Sequence, residues 1–288
     1  MADHTKTTLD IWLPEEWSQL VSITYQNNAV LAPRMDRRWE PELPPKRGDL
    51  IRIPGFTEST SSEKRTTFGT GASLTFTATT ETSTSLTINQ LAYRAFRLPA
   101  EMDVQAMPPY IDMLTSDIGK AIAIQIDTEL AADNTNGLDA LTALGTDNVD
   151  VEEDTLFDAE VVLDNANAPM EDRYFVYSPA TRVSLQKIEA FRSNLYSGIG
   201  NLMAGAAPGK QGHVYSYDLV QSTNLESGTS GKKNALFQKE CIALVVQKDV
   251  TMVEDMNIED GLFRQVAGFA VYGFKLVKSG YGREVDGK

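Results

Sequence analysis

The chain has 288 residues, long enough for one large domain or two smaller ones, and 42% of them are hydrophobic, ample for a packed core. Its 40 Asp and Glu against 26 Lys and Arg leave a formal charge of −14, which argues against a general nucleic-acid binder, because neutralising phosphates needs a basic face. The single cysteine, Cys241, lies in an apolar run, so there is no disulfide framework; it reads as a small buried hydrophobe in a protein that folds in a reducing compartment.

The N-terminus, MADHTKTTLD, is polar and unlike a signal peptide, and no apolar run approaches the roughly 20 residues that span a bilayer. A soluble protein made in the cytoplasm is expected. Pro14 with Glu15 and Glu16 opens a short amphipathic helix carrying Trp17, Leu20, Val21, Thr24 and Tyr25 and ending near Asn27-Asn28. From Ala32 to Arg47 prolines and cations alternate in APRMDRRWEPELPPKR, an extended arm that must lie on something else.

Gly48 opens a short strand, GDLIRIPGF, closed by Pro54-Gly55. The Ser- and Thr-rich stretch that follows looks like a linker. However, Ala72, Leu74, Phe76 and Ala78 alternate with hydroxyl residues, and Leu86 and Ile88 resume that period of two, as in a half-buried strand. Residues 48–98 therefore read as a long two-stranded ribbon with a polar tip near residues 58–71 and a return strand LTINQLAYRAFRLP. At about 3.3 Å per residue, a strand of roughly 15 residues reaches on the order of 50 Å. An isolated ribbon of that length is marginal in water. Packing on neighbouring copies is the simplest remedy.

Residues 109–134 carry Ile111, Leu114, Ile118, Ile122, Ile126 and Leu130 at helical spacing, behind Pro108-Pro109 and ahead of a stop at Asn134-Thr135-Asn136-Gly137, where left-handed backbone is tolerated. A second helix is predicted from Asp154 or Thr155, burying Leu156, Ala159, Val162, Leu163 and Ala166. Arg173–Tyr177 is a buried strand. Ser178-Pro179 caps a third helix with Val183, Leu185, Ile188 and Phe191 on one side. Residues 194–213 form a Gly/Ala-rich loop, Val214–Ser222 a strand and Asn224–Asn234 a hairpin tip. Apolar Ala235–Gln247 follows, then strands near Lys248–Val253 and Phe263–Val277, separated by the acidic turn EDMNIEDG. Helices and strands interleave without a regular βαβ period, so the fold class is α+β.

Little here speaks for catalysis. GAAPGKQ lacks the glycine and the Ser or Thr of a phosphate loop, having Ala204 and Gln211 in their places. Asp255, Asn257 and Glu259 alternate as in a calcium loop, but Gly261 comes one residue late and Val266 stands where the bidentate Glu belongs. His4 and His213 have no local Cys or His partner, and no G-x-S-x-G or G-x-G-x-x-G occurs. No catalytic residue, metal site or cofactor is expected.

Read in order, Leu13-Pro14-Glu15-Glu16-Trp17, Gly48-Asp49-Leu50-Ile51-Arg52-Ile53-Pro54, Leu86-Thr87-Ile88-Asn89, Asp127-Thr128-Glu129-Leu130 and Tyr272-Gly273-Phe274 resemble landmarks of the major capsid proteins of tailed bacteriophages, which have the Hong Kong 97 fold. The resemblance implies an N-terminal arm at 1–47, an extended loop at 48–98 lying on the adjacent subunit, and a peripheral domain at 99–150 and 248–273 with a spine helix at 109–134. An axial domain would occupy 151–247 and 274–288. It implies inter-subunit contacts in three places: Trp17, Arg37, Arg38 and Trp39 in the arm; Glu58, Glu63, Lys64, Arg65, Phe68, Leu74 and Phe76 in the ribbon; and Asp255, Asn257, Glu259 and Asp260 in the acidic turn.

The implied partners are copies of the chain, as pentamers and hexamers of an icosahedral shell, with a portal, a decoration protein in some relatives, and enclosed DNA held without specific binding. Some relatives carry a long helical scaffold segment that is cut off. Here the arm begins close to Met1, so a separate scaffolding protein and no cleavage are expected. The destination is the virion, after assembly in the host cytoplasm. Three other readings stand beside this one: an encapsulin-like compartment holding protein cargo, a phage decoration or tail protein, and a hydrolase using unrecognised carboxylates.

Overall fold

The structure is a computed structural model that describes residues 29–42, 48–56, 81–99, 108–188, 212–214, 217–257 and 262–288. The expected helix near Trp17, the ribbon tip and the Gly/Ala-rich loop up to residue 211 lie outside these residues.

The longest helix, α1, spans Pro108–Ala132. Its stripe is buried as the spacing requires: Ile118, Ile122, Ile126 and Leu130 are each at most 1% exposed. The stop differs from expectation. The Asp133 carboxylate accepts the N–H groups of Thr135 and Asn136, and Gly137 N–H donates to the Asp133 carbonyl. This Asx-type turn does what a left-handed residue does elsewhere. Gly137 sits at φ −96°, and it is needed for space: a Cβ there would lie 2.6 Å from the Leu130 carbonyl oxygen.

Strands β1 (Leu50–Phe56) and β2 (Glu81–Thr87) pair antiparallel. Strand β3 (Gln90–Pro99) joins a three-stranded antiparallel sheet, in the order β3-β10-β9, with β9 (Ile242–Asn257) and β10 (Phe263–Leu276). Helix α1 lies on one face of that sheet. Gly268 on β10 lets it approach, since a Cβ there would overlap the Ile118 side chain.

The second sheet has six strands in the order β4-β11-β8-β5-β7-β6. They are β4 (Ala143–Gly145), β5 (Arg173–Tyr177), β6 (Gly212–Val214), β7 (Tyr217–Gln221), β8 (Lys232–Gln238) and β11 (Gly282–Gly287). Helices α2 (Glu153–Asn165) and α3 (Pro179–Lys187) cover one face, where Leu156, Ala159, Leu163 and Leu185 pack with Phe175, Tyr177, Leu219 and Leu236. The alternate residues Val176, Val220, Ala235 and Phe237 point the other way, into the core beneath α1. The sheet is thus buried on both sides, which is why Arg173–Tyr177 and Ala235–Gln238 read as continuous apolar runs.

Ser178 caps α3 as expected, accepting the Thr181 N–H. Three other expectations need correction. Val183 is 56% exposed, and the inner face of α3 is Leu185, as expected, together with polar Thr181 and Ser184. There Thr181 bonds Asn234 and the Lys288 carbonyl, while Ser184 bonds Asp150. Residues 224–234 do hold a small hairpin tip, with Ser227 opposite Lys232 and Gly228 N–H on the Gly231 carbonyl, but it does not join paired strands, because β5 lies between β7 and β8; the link crosses the sheet end and is held by Asp147, which accepts the Ser230 and Gly231 N–H groups. The apolar run 235–247 is divided by a 3-10 turn, Lys239–Cys241, which carries the chain from one sheet to the other. Cys241 is fully buried there, and burial pushes its thiol up to about 12, leaving it inert.

Two predictions follow from this packing. Gly268→Ala forces α1 off the sheet and is expected to cost roughly 1–3 kcal/mol, read as a lower midpoint in urea. The Glu284 carboxyl on β11, 3% exposed, is pushed up to about 8 by burial, with Asp286 and Asp139 adding to the rise and Lys233 opposing it. A raised carboxyl stabilises the fold at low pH, and that contribution is lost as pH rises through about 8. The stability difference between wild type and Glu284→Gln should therefore change between pH 5 and 8 and level off above, measured by urea titration at each pH.

Candidate assembly elements

Two elements stand apart from the two-sheet body, the strap at residues 29–42 and the root of the ribbon. The strap is not extended throughout. It contains two short 3-10 turns, Ala32–Arg34 and Glu40–Glu42, and lies on its own chain. Leu31 and Met35 are fully buried against the α1 core. Asp36 forms a parallel bridge at the start of β9, donating to the Ile242 carbonyl at 3.0 Å and accepting from Leu244 N–H at 2.9 Å. Farther along, a Glu40 carboxylate oxygen accepts Val246 N–H at 3.2 Å.

The deepest anchor is Asp127 on α1, fully buried. Its carboxylate accepts three consecutive strap N–H groups, from Val30 (2.6 Å), Leu31 (3.1 Å) and Ala32 (3.2 Å). Burial pushes the acid up to about 6, against the pull of those three bonds and of the Arg34 charge. Arg34 itself donates to the Val30 carbonyl and lies 5.7 Å from the Tyr174 ring centroid; burial lowers its pKa.

The ribbon root is β1 and β2 in register from Leu50 opposite Thr87 to Phe56 opposite Glu81. Ile51, Ile53, Leu86 and Ile88 form its inner face and pack on Ala243 and Val245 of β9, with Trp39 of the strap, Val271 and Val277 beside them. Gly273 on β10 permits the crossing, since a Cβ there would lie 2.8 Å from Ile88 Cα. Pro54-Gly55 does not close β1, which runs on through Phe56. The return strand is broken at Ile88-Asn89: residues up to Thr87 pair with β1, and those from Gln90 pair with β10.

Among the sequence-predicted contact residues, Arg37, Arg38 and Trp39 come together on the strap. Arg37 pairs with Glu40, Arg38 with Asp36 and Glu240, and the Arg38 guanidinium lies 5.9 Å from the Trp39 ring centroid. Asp255 and Asn257 are at the far end of β9, opposite Gln265 and Phe263, so they belong to a strand and not to the acidic turn. Trp17, Glu58, Glu63, Lys64, Arg65, Phe68, Leu74, Phe76, Glu259 and Asp260 lie outside the described residues. Asp127 was missed by sequence reasoning, although it carried a signal: an acid at i+4 from Ala123 and i−3 from Leu130 sits on the apolar stripe of its own helix.

Among the described residues no three His, Cys, Asp or Glu side chains gather as metal ligands would, and no helix is long and apolar enough to cross a membrane. A groove of about 290 Å³ crosses the outer face of the three-stranded sheet, lined by Ala95, Arg97, Val253, Asp255, Gln265 and Ala267 among others.

No protein-family model and no curated protein matches the sequence. Solved structures do match. A chain from Mycobacterium phage Che8 is 20% identical with a TM-score of 0.70, covering 100% of this chain and 96% of its own. The capsid of Cyanophage P-SCSP1u gives 16% identity and a TM-score of 0.63, with 84% of each chain covered. A virus-like particle from Pyrococcus furiosus gives 10% identity and a TM-score of 0.61, covering 96% of this chain and 100% of that one. The α+β architecture built from Leu31 to Glu284 is the Hong Kong 97-like capsid fold.

Proposed function

We propose that this chain is the major capsid protein of a tailed bacteriophage, a structural subunit that assembles with copies of itself into the icosahedral head shell around the DNA genome. The observation that carries the reading is the fold shared with the capsid of Cyanophage P-SCSP1u over 84% of this chain and with a chain of Mycobacterium phage Che8 over 100% of it. The free surface agrees with an assembling subunit. On the sheet face away from α1, Leu91, Tyr93 and Val253 are 56%, 70% and 51% exposed, an apolar surface that a neighbour would cover.

In this reading residues 99–150 and 248–273, with α1 as spine, form the peripheral domain, and residues 151–247 and 274–288 form the axial domain. The ribbon reaches a neighbouring subunit, with Glu58, Glu63, Lys64, Arg65, Phe68, Leu74 and Phe76 as its contact residues. Trp17, Arg37, Arg38 and Trp39 serve from the arm, and Asp255, Asn257, Glu259 and Asp260 from the end of β9 and the turn beyond it. Pentamers and hexamers, a separate scaffolding protein, a portal and a virion destination complete the assignment. The surplus of acid suits a container whose wall must not adsorb its DNA.

Electron microscopy of the purified protein, with and without its scaffold, should show closed shells, and particles from infected cells should hold DNA. Protein cargo in place of DNA would move the assignment to a compartment shell. The ribbon provides the sharper test. Phe56 and Glu81 are cross-strand partners, so residues 57–80 can be replaced by Asn-Gly, a two-residue turn suited to a hairpin. The shortened protein is expected to keep its circular dichroism and melting temperature and to sediment as small species. Closed shells of normal diameter from it would overturn the ribbon's role.

A further inference from the structure

We propose that Asp127 is a proton-operated catch for the strap, which seats more firmly in mildly acidic than in neutral or alkaline solution. The geometry makes Asp127 the junction through which the strap is held. Three successive backbone donors, Val30, Leu31 and Ala32, converge on one side chain that rises from the buried stripe of α1. The Leu31 side chain is itself an apolar anchor, and after the three donors come Met35 and the Asp36 bridge to β9. A strap that lifts away from α1 has to leave this carboxylate first.

The charge on the catch is poorly compensated. The cation that faces Asp127 is Arg34 of the strap, and it spends its hydrogen bond on the Val30 carbonyl. Arg34 is drawn at the same time toward Tyr174 on β5 and Asp218 on β7. Glu129, two residues along α1, is turned to Tyr272 and Gln125 instead. Burial of the ionised form therefore outweighs the three N–H bonds, and the seated carboxyl titrates near 6, against 3.8 for an ordinary aspartate.

The sign follows from linkage. Seated, Asp127 binds a proton more tightly than it does once the strap has lifted into water. Acid therefore favours the seated form, and that advantage is lost as pH rises through about 6. Between pH 7.5 and pH 5.0, a shift from 3.8 to about 6 lowers the strap's opening equilibrium by about tenfold. The consequence belongs to the subunit alone and does not depend on shell formation, so its failure and a failure of the capsid assignment are separately visible.

Hydrogen exchange on the full-length, unassembled protein reads this directly. Exchange rates of the amides of residues 30–32, divided by their chemical rates at each pH, give the opening equilibrium. Protection is expected to be flat above pH 7, to begin rising near 6 and to reach about tenfold at pH 5.0 relative to pH 7.5. In Asp127→Asn the amide cannot titrate, so the pH dependence should vanish at whatever protection remains. Arg34→Gln removes the facing cation and should move the onset of the rise to higher pH, which keeps a readout should the Asn variant fold poorly. Wild-type protection that is flat or falls on acidification overturns the proposal, as does a slope that survives Asp127→Asn or an onset unmoved by Arg34→Gln.

Discussion

The strap, the ribbon root and the core beneath α1 meet over five residues at the start of β9. The period of two divides them cleanly. Ile242 and Leu244 enter the core beneath α1, while Ala243 and Val245 face the ribbon root. The edge of the same segment takes the strap, through the Asp36 bridge and the Glu40 bond to Val246. Four of the five are at most 1% exposed. At roughly 1.5–3 kcal/mol for each fully buried large aliphatic side chain, the segment is worth several kcal/mol, a large share of the net stability of any domain. The turn at Lys239–Cys241 then joins it to β8, and a single apolar cluster holds residues of both sheets, Leu244 and Ala270 with Val176 and Phe237.

The acidic composition finds part of its use inside the molecule. Carboxylates repeatedly take backbone donors that no ladder can reach: Asp127 at the strap, Asp147 at residues 230–231, Asp133 after α1, and Glu40 at the edge of β9. A loop that leaves regular structure still has N–H groups to satisfy, and a carboxylate offers two acceptor oxygens in one place. Irregular connections of this fold are thereby fixed without burying much apolar surface.

How much of this was legible in the sequence depended on whether the signal was local. Helix α1, the strand Arg173–Tyr177 and the Ser178 cap each rest on a period or a single capping side chain, and each appeared where the residues indicated. The break at Ile88-Asn89 was not legible, because hydrophobic alternation continues on both sides of it and period says nothing of which partner a strand chooses. For the same reason the hairpin within residues 224–234 could be read, but not that the strands on either side of it are separated by β5. On α3 Leu185 is buried as its spacing indicates but Val183 is not; Thr181 and Ser184 complete the buried face, bonded to Asn234, the Lys288 carbonyl and Asp150, and polar burial leaves no hydrophobic period to read. Arg37 and Arg38 stand among the contacts that the resemblance implies, and much of their charge is already spent on Glu40, Asp36 and Glu240.

The arrangement also determines how a contact made by the ribbon reaches the body. The root has only seven paired residues on each side, too short a ribbon to be rigid by itself. Its inner face bears on Ala243 and Val245 and on Trp39 of the strap, while the close passage of Thr87 and Ile88 over Gly273 leaves no room for the root to sink toward β10. Whatever displaces the ribbon must therefore disturb β9 or the strap, and the strap is tied in turn to α1 by Asp127. Ribbon, strap and long helix form one mechanical series, and its most polar link, three backbone N–H groups on a single buried carboxylate, is the one whose strength a change of solution can alter.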